Sequence, residues 1–86
     1  VTKFEHLEFR PFRDGNVAEV KFTNGYGASV VCHDNSYGGK GGLYELAVLK
    51  GDIICYDTPI TDDVMGWLYP ADVTDLLAKI EQLSAA

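Results

Sequence analysis

PADVTDLLAKIEQL, residues 70–83, is the stretch that decides the architecture. Its apolar residues Val73, Leu76, Leu77, Ile80 and Leu83 recur at three- and four-residue spacing, which places them along one side of an α-helix. Asp72, Asp75, Lys79, Glu81 and Gln82 fall on the other side. Pro70 suits the first turn, where a missing N–H costs nothing. The periodicity predicts a helix over about 70–84. A helix with one apolar stripe must bury it against another element, and the rest of the chain offers strands.

Val17–Thr23 alternates cleanly, with Ala18, Val20 and Phe22 on one face and Glu19 and Lys21 on the other. Further strands are expected at about 3–12, 28–33, 43–49 and 53–57. The first rests on Phe4, Leu7, Phe9 and Phe12, whose alternation is imperfect. Asp14-Gly15-Asn16 is a turn signal. Asn24-Gly25 commonly marks a two-residue hairpin loop. Such a loop would set Phe22 against Gly27 and mix the two faces. A three-residue loop from Gly25 to Gly27 pairs Phe22 with Val30 and Val20 with Cys32, keeping one face apolar. Gly27 then takes the left-handed position.

Asp34–Gly42 reads as a flexible glycine-rich loop, and Lys50-Gly51-Asp52 as a tight turn. Thr58-Pro59 interrupts the strand pattern, because proline has no N–H to donate. Thr61-Asp62-Asp63 resembles the capped start of a short helical turn over about 62–66. The expectation is one two-layer α+β domain over 1–86, an antiparallel sheet of four to five strands packed against one C-terminal amphipathic helix.

A chain of 86 residues buries only about 60–65% of the surface its unfolded form exposes. Homo-oligomer formation would add burial. Cys32 and Cys55 are too few for a disulfide framework. No basic start precedes an apolar run, and no apolar stretch reaches the roughly 18 residues that suggest a bilayer span. A start at Val1 is compatible with loss of an initiator methionine. These features point to a reducing cytoplasm and away from membranes.

The formal charge of −6 is unevenly placed. Lys3, Arg10, Arg13, Lys21 and Lys40 balance Glu5, Glu8, Asp14, Glu19 and Asp34. After residue 42, Lys50 and Lys79 face Glu45, Asp52, Asp57, Asp62, Asp63, Asp72, Asp75 and Glu81. Such a field disfavours nucleic acid and attracts basic surfaces.

Catalytic and metal motifs find little support. Cys32-His33-Asp34 has the residue types of a nucleophile, base and orienter, but neighbours on a strand point to opposite faces. Cys32 should enter the core while His33 faces away. His6 and His33 are distant in sequence, as are the cysteines, so no zinc spacing exists. Gly38-Gly39-Lys40-Gly41-Gly42 lacks the Ser or Thr and the following helix of a phosphate loop. No catalytic residue, metal ligand or cofactor is assigned. Asp57, Asp62 and Asp63 form an acidic run that would suit a basic partner surface. Tyr26 and Tyr37 sit beside glycines and should be exposed, with Lys40 close to Tyr37. Exposed tyrosines are favoured in contact surfaces. Tyr44 and Tyr56 read as core or sheet-edge residues, and Trp67 as a hydrophobic anchor before the helix.

The segments NGYGASV (24–30), SYGG (36–39), GLYELAV (42–48) and YDTPITDDV (56–64), followed by Gly66, resemble a group of short phage- and prophage-encoded hypothetical proteins. The likeness runs from about Phe22 to Gly66. It implies a viral origin and action in a bacterial host cytoplasm, and it carries no catalytic residues across. The reading is a non-enzymatic accessory protein that binds a host or phage protein. Contact would come through Tyr26, Tyr37 and Lys40, through Asp57, Asp62 and Asp63, or through both. Self-association in a structural or assembly role is the alternative, followed by a small enzyme or ligand-binding domain.

Overall fold

The computed structural model describes residues 2–60 and 64–84. Six strands form one antiparallel sheet: β1 (Arg10–Phe12), β2 (Gly15–Lys21), β3 (Tyr26–Cys32), β4 (Tyr44–Lys50), β5 (Ile53–Ile54) and β6 (Met65–Leu68). The helix α1 (Pro70–Glu81) follows β6 directly. The order across the sheet is β1-β2-β3-β4, and β5 and β6 share the remaining edge of β4. β5 pairs at Leu49–Lys50, and β6 pairs at Tyr44 and Leu46. This is the expected two-layer α+β arrangement.

Register explains the core. Ala18 pairs with Val30 and Val30 with Leu46. Val20 pairs with Ala28 and Ala28 with Val48. Directly paired residues share a face, so these two rows make one apolar surface. The α1 side chains Val73, Leu77 and Ile80 lie on it, fully buried with Val30, Leu46 and Val48. Leu76 and Leu83 pack at the margin, so all five residues of the predicted stripe are used. The opposite face carries Val17, Glu19, Ser29, Val31, Glu45 and Ala47.

Five expectations change. The β2–β3 loop does have three residues, but they are Thr23 to Gly25, closed by the Phe22 N–H donating to Tyr26 O at 2.8 Å. Gly25, not Gly27, takes the left-handed position, with φ 89°. Val20 therefore meets Ala28 rather than Cys32. The shift is an even number of residues, so every side chain keeps its face. The hairpin settles there because Asn24 is wanted elsewhere. Its side-chain amide lies 3.0, 3.2 and 3.1 Å from the carbonyls of Ile80, Glu81 and Leu83, closing the end of α1. Its Oδ1 accepts the Tyr26 N–H at 3.0 Å.

The segment 3–12 is not one strand. Phe4–His6 is a 3-10 turn, and only Arg10–Phe12 pairs, with Gly15–Val17. Phe4, Leu7 and Phe9 all reach the core, at a spacing that strand alternation cannot satisfy. The Phe4 N–H donates to Thr74 Oγ1 at 2.9 Å, holding the segment against α1. The first turn comprises Arg13 and Asp14, and Gly15 already belongs to β2.

The strand expected at 53–57 shortens to Ile53–Ile54. One further bond, from the Cys55 N–H to Val48 O at 2.7 Å, precedes its departure. The helical turn expected at 62–66 gives way, at Met65 and Gly66, to the start of β6. Asp62 and Asp63 lie outside the described residues. The unpaired half of β4 accounts for the sixth strand, since it would otherwise leave N–H and C=O groups without partners.

Candidate functional site

The glycine-rich segment 34–43 is more ordered in hydrogen bonding than its composition implies. Ser36 N–H donates to His33 O, Gly39 N–H to Ser36 O, and Leu43 N–H to Gly38 O, at 3.0–3.1 Å. Gly39–Gly41 forms a 3-10 turn. Ser36 is buried, and its hydroxyl both accepts the His33 N–H at 2.9 Å and donates to His33 O at 2.8 Å. The expectation of a loose loop gives way to a chain of closed turns.

These turns present Tyr37 to β6. The Tyr37 N–H donates to Glu45 Oε1 at 3.0 Å, and the Trp67 N–H donates to Tyr37 O at 3.2 Å. The two rings stack, with centroids 5.4 Å apart and planes 19° from parallel. Gly66 makes this approach possible. A Cβ there would lie far inside contact of Tyr37 Cβ, with Tyr37 O at 3.2 Å and Cγ at 3.3 Å. Both rings remain open to solvent, Tyr37 52% and Trp67 64% exposed. Trp67 is therefore not the buried anchor expected before the helix.

Trp67 also adopts a left-handed backbone, φ 54°, which is an outlier for a bulky residue. Such strain costs about 1–3 kcal/mol and persists only where surrounding contacts enforce it. Here the enforcing contacts are the Tyr37 carbonyl, the ring stack and the β4 pairing. Beside the rings lies a shallow depression of about 270 Å³, lined by Asp34, Tyr37, Lys40, Leu43 and Trp67. Lys40 projects from the 3-10 turn and is exposed.

The structure thus brings Tyr37 and Lys40 together and adds Trp67. It separates the other sequence candidates. Tyr26 starts β3 and packs against the core instead of standing on a loop tip, because the hairpin loop ends at Gly25. Asp57 lies beyond β5, where its Oδ1 accepts a hydrogen bond from the Cys55 thiol at 3.0 Å. That bond holds the Asp57 carboxyl below its ordinary value. Tyr56 is exposed, while Tyr44 packs edge-on to Phe4 at 4.9 Å.

Much of the acidic second half has local work. Asp52 pairs with Lys21, which lowers the carboxyl and raises the amine. Asp72 Oδ2 accepts the Tyr69 N–H at 2.9 Å at the start of α1. Glu81 accepts the Thr2 N–H at 3.3 Å, and Glu45 holds Tyr37. Cys32 and His33 diverge, the imidazole packing on Phe12 at 5.6 Å, but Cys32 does not enter the core as expected: it is half-buried, its thiol turned to Gly39 O at 3.7 Å where the glycine turns cover the end of β3.

Comparison with protein-family models, curated proteins and solved structures returns no match. Among the described residues, no helix is long and apolar enough to cross a membrane.

Proposed function

We propose that this chain is a non-enzymatic binding module whose partner is a protein, engaged at the Tyr37–Trp67 platform with Lys40 at its rim. The resemblance to short phage proteins makes a host or phage protein in the bacterial cytoplasm the natural candidate. One observation carries the reading. A tryptophan is held exposed, in a strained backbone, against a second exposed aromatic ring. The core gains little from it, while Trp and Tyr are the side chains that dominate contact energies. The acidic-patch version of the idea has weaker support, because Asp57 and several other carboxylates of the second half have local partners.

The test is a nuclease-treated pull-down from bacterial host lysate, run beside Tyr37→Ala, Trp67→Asn and Lys40→Glu. Asn is the replacement at position 67 because it tolerates a left-handed backbone. A partner captured by the native chain and lost from the two ring variants is the expected result. A partner retained by all three variants refutes the assignment of the surface.

A second reading has its own observation. Ile53 is 74% exposed and Ile54 41% exposed, on the short outermost strand β5, with Tyr56 exposed beside them. Apolar side chains on a sheet edge favour pairing with another chain. Self-association through this edge predicts a concentration-dependent dimer in light scattering, abolished by Ile53→Lys. A strict monomer at high concentration removes it.

A further inference from the structure

Building on the binding reading above, we infer that the Tyr37–Trp67 platform accepts a pre-extended, proline-containing segment of its partner, flanked by basic residues. The argument starts from what the site can offer. Its depression of about 270 Å³ is too shallow to enclose a ligand, so contact area is small. A flexible segment would lose more freedom on docking than so small a site returns. A polyproline II segment is already extended and has little such freedom to lose.

Hydrogen-bond inventory points the same way. Five backbone donors around the depression are committed internally, Gly39 to Ser36, Gly41 and Leu43 to Gly38, Gly42 to Gly39, and Trp67 to Tyr37, while the Gly38 and Lys40 N–H groups, without a partner among the described residues, remain open to a ligand carbonyl. The Ser36 hydroxyl is taken up by His33. A proline segment needs flat apolar faces for its rings and an occasional donor for its carbonyls. The outer ring faces supply the first. The Trp67 indole N–H and the Tyr37 hydroxyl, which have no hydrogen-bond partner among the described residues, supply the second.

Charge selects the flanks. Asp34 and Lys40 both line the depression and offset one another, so the flanks answer to the whole chain's −6, which attracts arginine or lysine beside the prolines and repels acidic flanks. Lys40 stands on the same rim as a donor to ligand carbonyls.

The experiment titrates the full chain into a fluorescein-labelled peptide with a polyproline centre and arginine flanks, read by anisotropy. A matched peptide with alanines replacing the prolines runs beside it. Saturable binding weakened about tenfold or more (about 1.4 kcal/mol) by the alanine peptide and by Trp67→Asn supports the inference. Circular dichroism and melting of Trp67→Asn establish that the variant is folded, and Tyr37→Ala provides an independent second loss. Equal binding of the two peptides would mean charge attraction alone and overturns the inference. So does quenching of Trp67 by an oligosaccharide panel without peptide binding. Absent peptide binding beside a pull-down that still depends on Tyr37 and Trp67 overturns the proline segment and leaves the platform intact. If that dependence is absent too, both readings fall.

Discussion

Gly66→Ala should displace Tyr37 from Trp67 while sparing the helical core. The added methyl would meet Tyr37 Cβ at far less than contact distance, with Tyr37 O at 3.2 Å and Cγ at 3.3 Å beyond it. Comfortable carbon–carbon contact needs about 3.5–4.0 Å. The obstructing atom is a Cβ, fixed to backbone, so no rotamer change removes the clash. The Tyr37 backbone is held on one side by Glu45 and on the other by Trp67. Relief therefore means opening the junction between the glycine turns and β6. Overpacking of this kind costs about 1–3 kcal/mol, and loss of the ring stack alone would account for about 0.5–1.5 kcal/mol of it. For a domain of this size each kcal/mol lowers Tm by about 4–8 °C. Trp67 is the only tryptophan, so its signals report the junction alone. Near-ultraviolet circular dichroism should lose the coupled Tyr–Trp contribution, and acrylamide should quench Trp67 more efficiently once its inner face is uncovered. Far-ultraviolet dichroism should be unchanged, since α1 lies elsewhere. An unchanged near-ultraviolet spectrum with Tm within about 2 °C of native would refute the close packing of Gly66 on Tyr37.

Asn24→Ala removes the amide that reaches the carbonyls of Ile80, Glu81 and Leu83, and should cost about 1–3 kcal/mol in chemical denaturation. Asn24→Asp should cost more, because it also places a negative charge at the negative end of α1; equal stability of the two variants would count against that capping role. Asp14 Oδ1 accepts the Asp34 N–H at 3.0 Å, and this bond, aided by the nearby His33, holds the carboxyl below its ordinary 3.8. A lowered folded value stabilises the fold above the unfolded value, and the contribution is lost as pH falls through the lowered one. Melting temperature should therefore decline more steeply with acid below about pH 4 in the native chain than in Asp14→Asn, and parallel profiles would show that the bond contributes nothing.

How legible the fold was in the sequence depended on whether one face or several constraints set the answer. The α1 stripe answers to a single requirement, burial against a sheet, and Val73, Leu77 and Ile80 all reached it. The β2 and β3 faces were equally legible, because alternation survives any even shift of register. The position of the hairpin loop was not. Two three-residue loops satisfy the alternation, and the choice depends on Asn24 reaching a helix end 56 residues away. The sixth strand was hidden for a related reason. Met65–Leu68 is short, begins beside a glycine and follows two aspartates that mimic a helix cap; only the open half of β4 demands a strand there. Phe4, Leu7 and Phe9 gave a strand signal from aromatic content, but their spacing fits a 3-10 turn laid against α1.

The platform divides along the same line. Tyr37 and Lys40 were readable because they stand in a glycine-rich segment that cannot bury them. Trp67 was not, since a tryptophan next to an amphipathic helix is ordinarily drawn into the core. What keeps it out is the left-handed backbone at φ 54°, which turns its side chain toward Tyr37. Leu68 continues inward against the core cluster. A signal was present in the glycines that flank the pair. Gly38 follows one aromatic residue and Gly66 precedes the other, and each leaves the space the other segment's backbone or ring occupies. Such matched glycines, far apart in sequence, make sense only as a contact between two segments. The contact fixes two aromatic rings in solvent at a backbone cost, which stability alone does not explain and which the proposed binding role would.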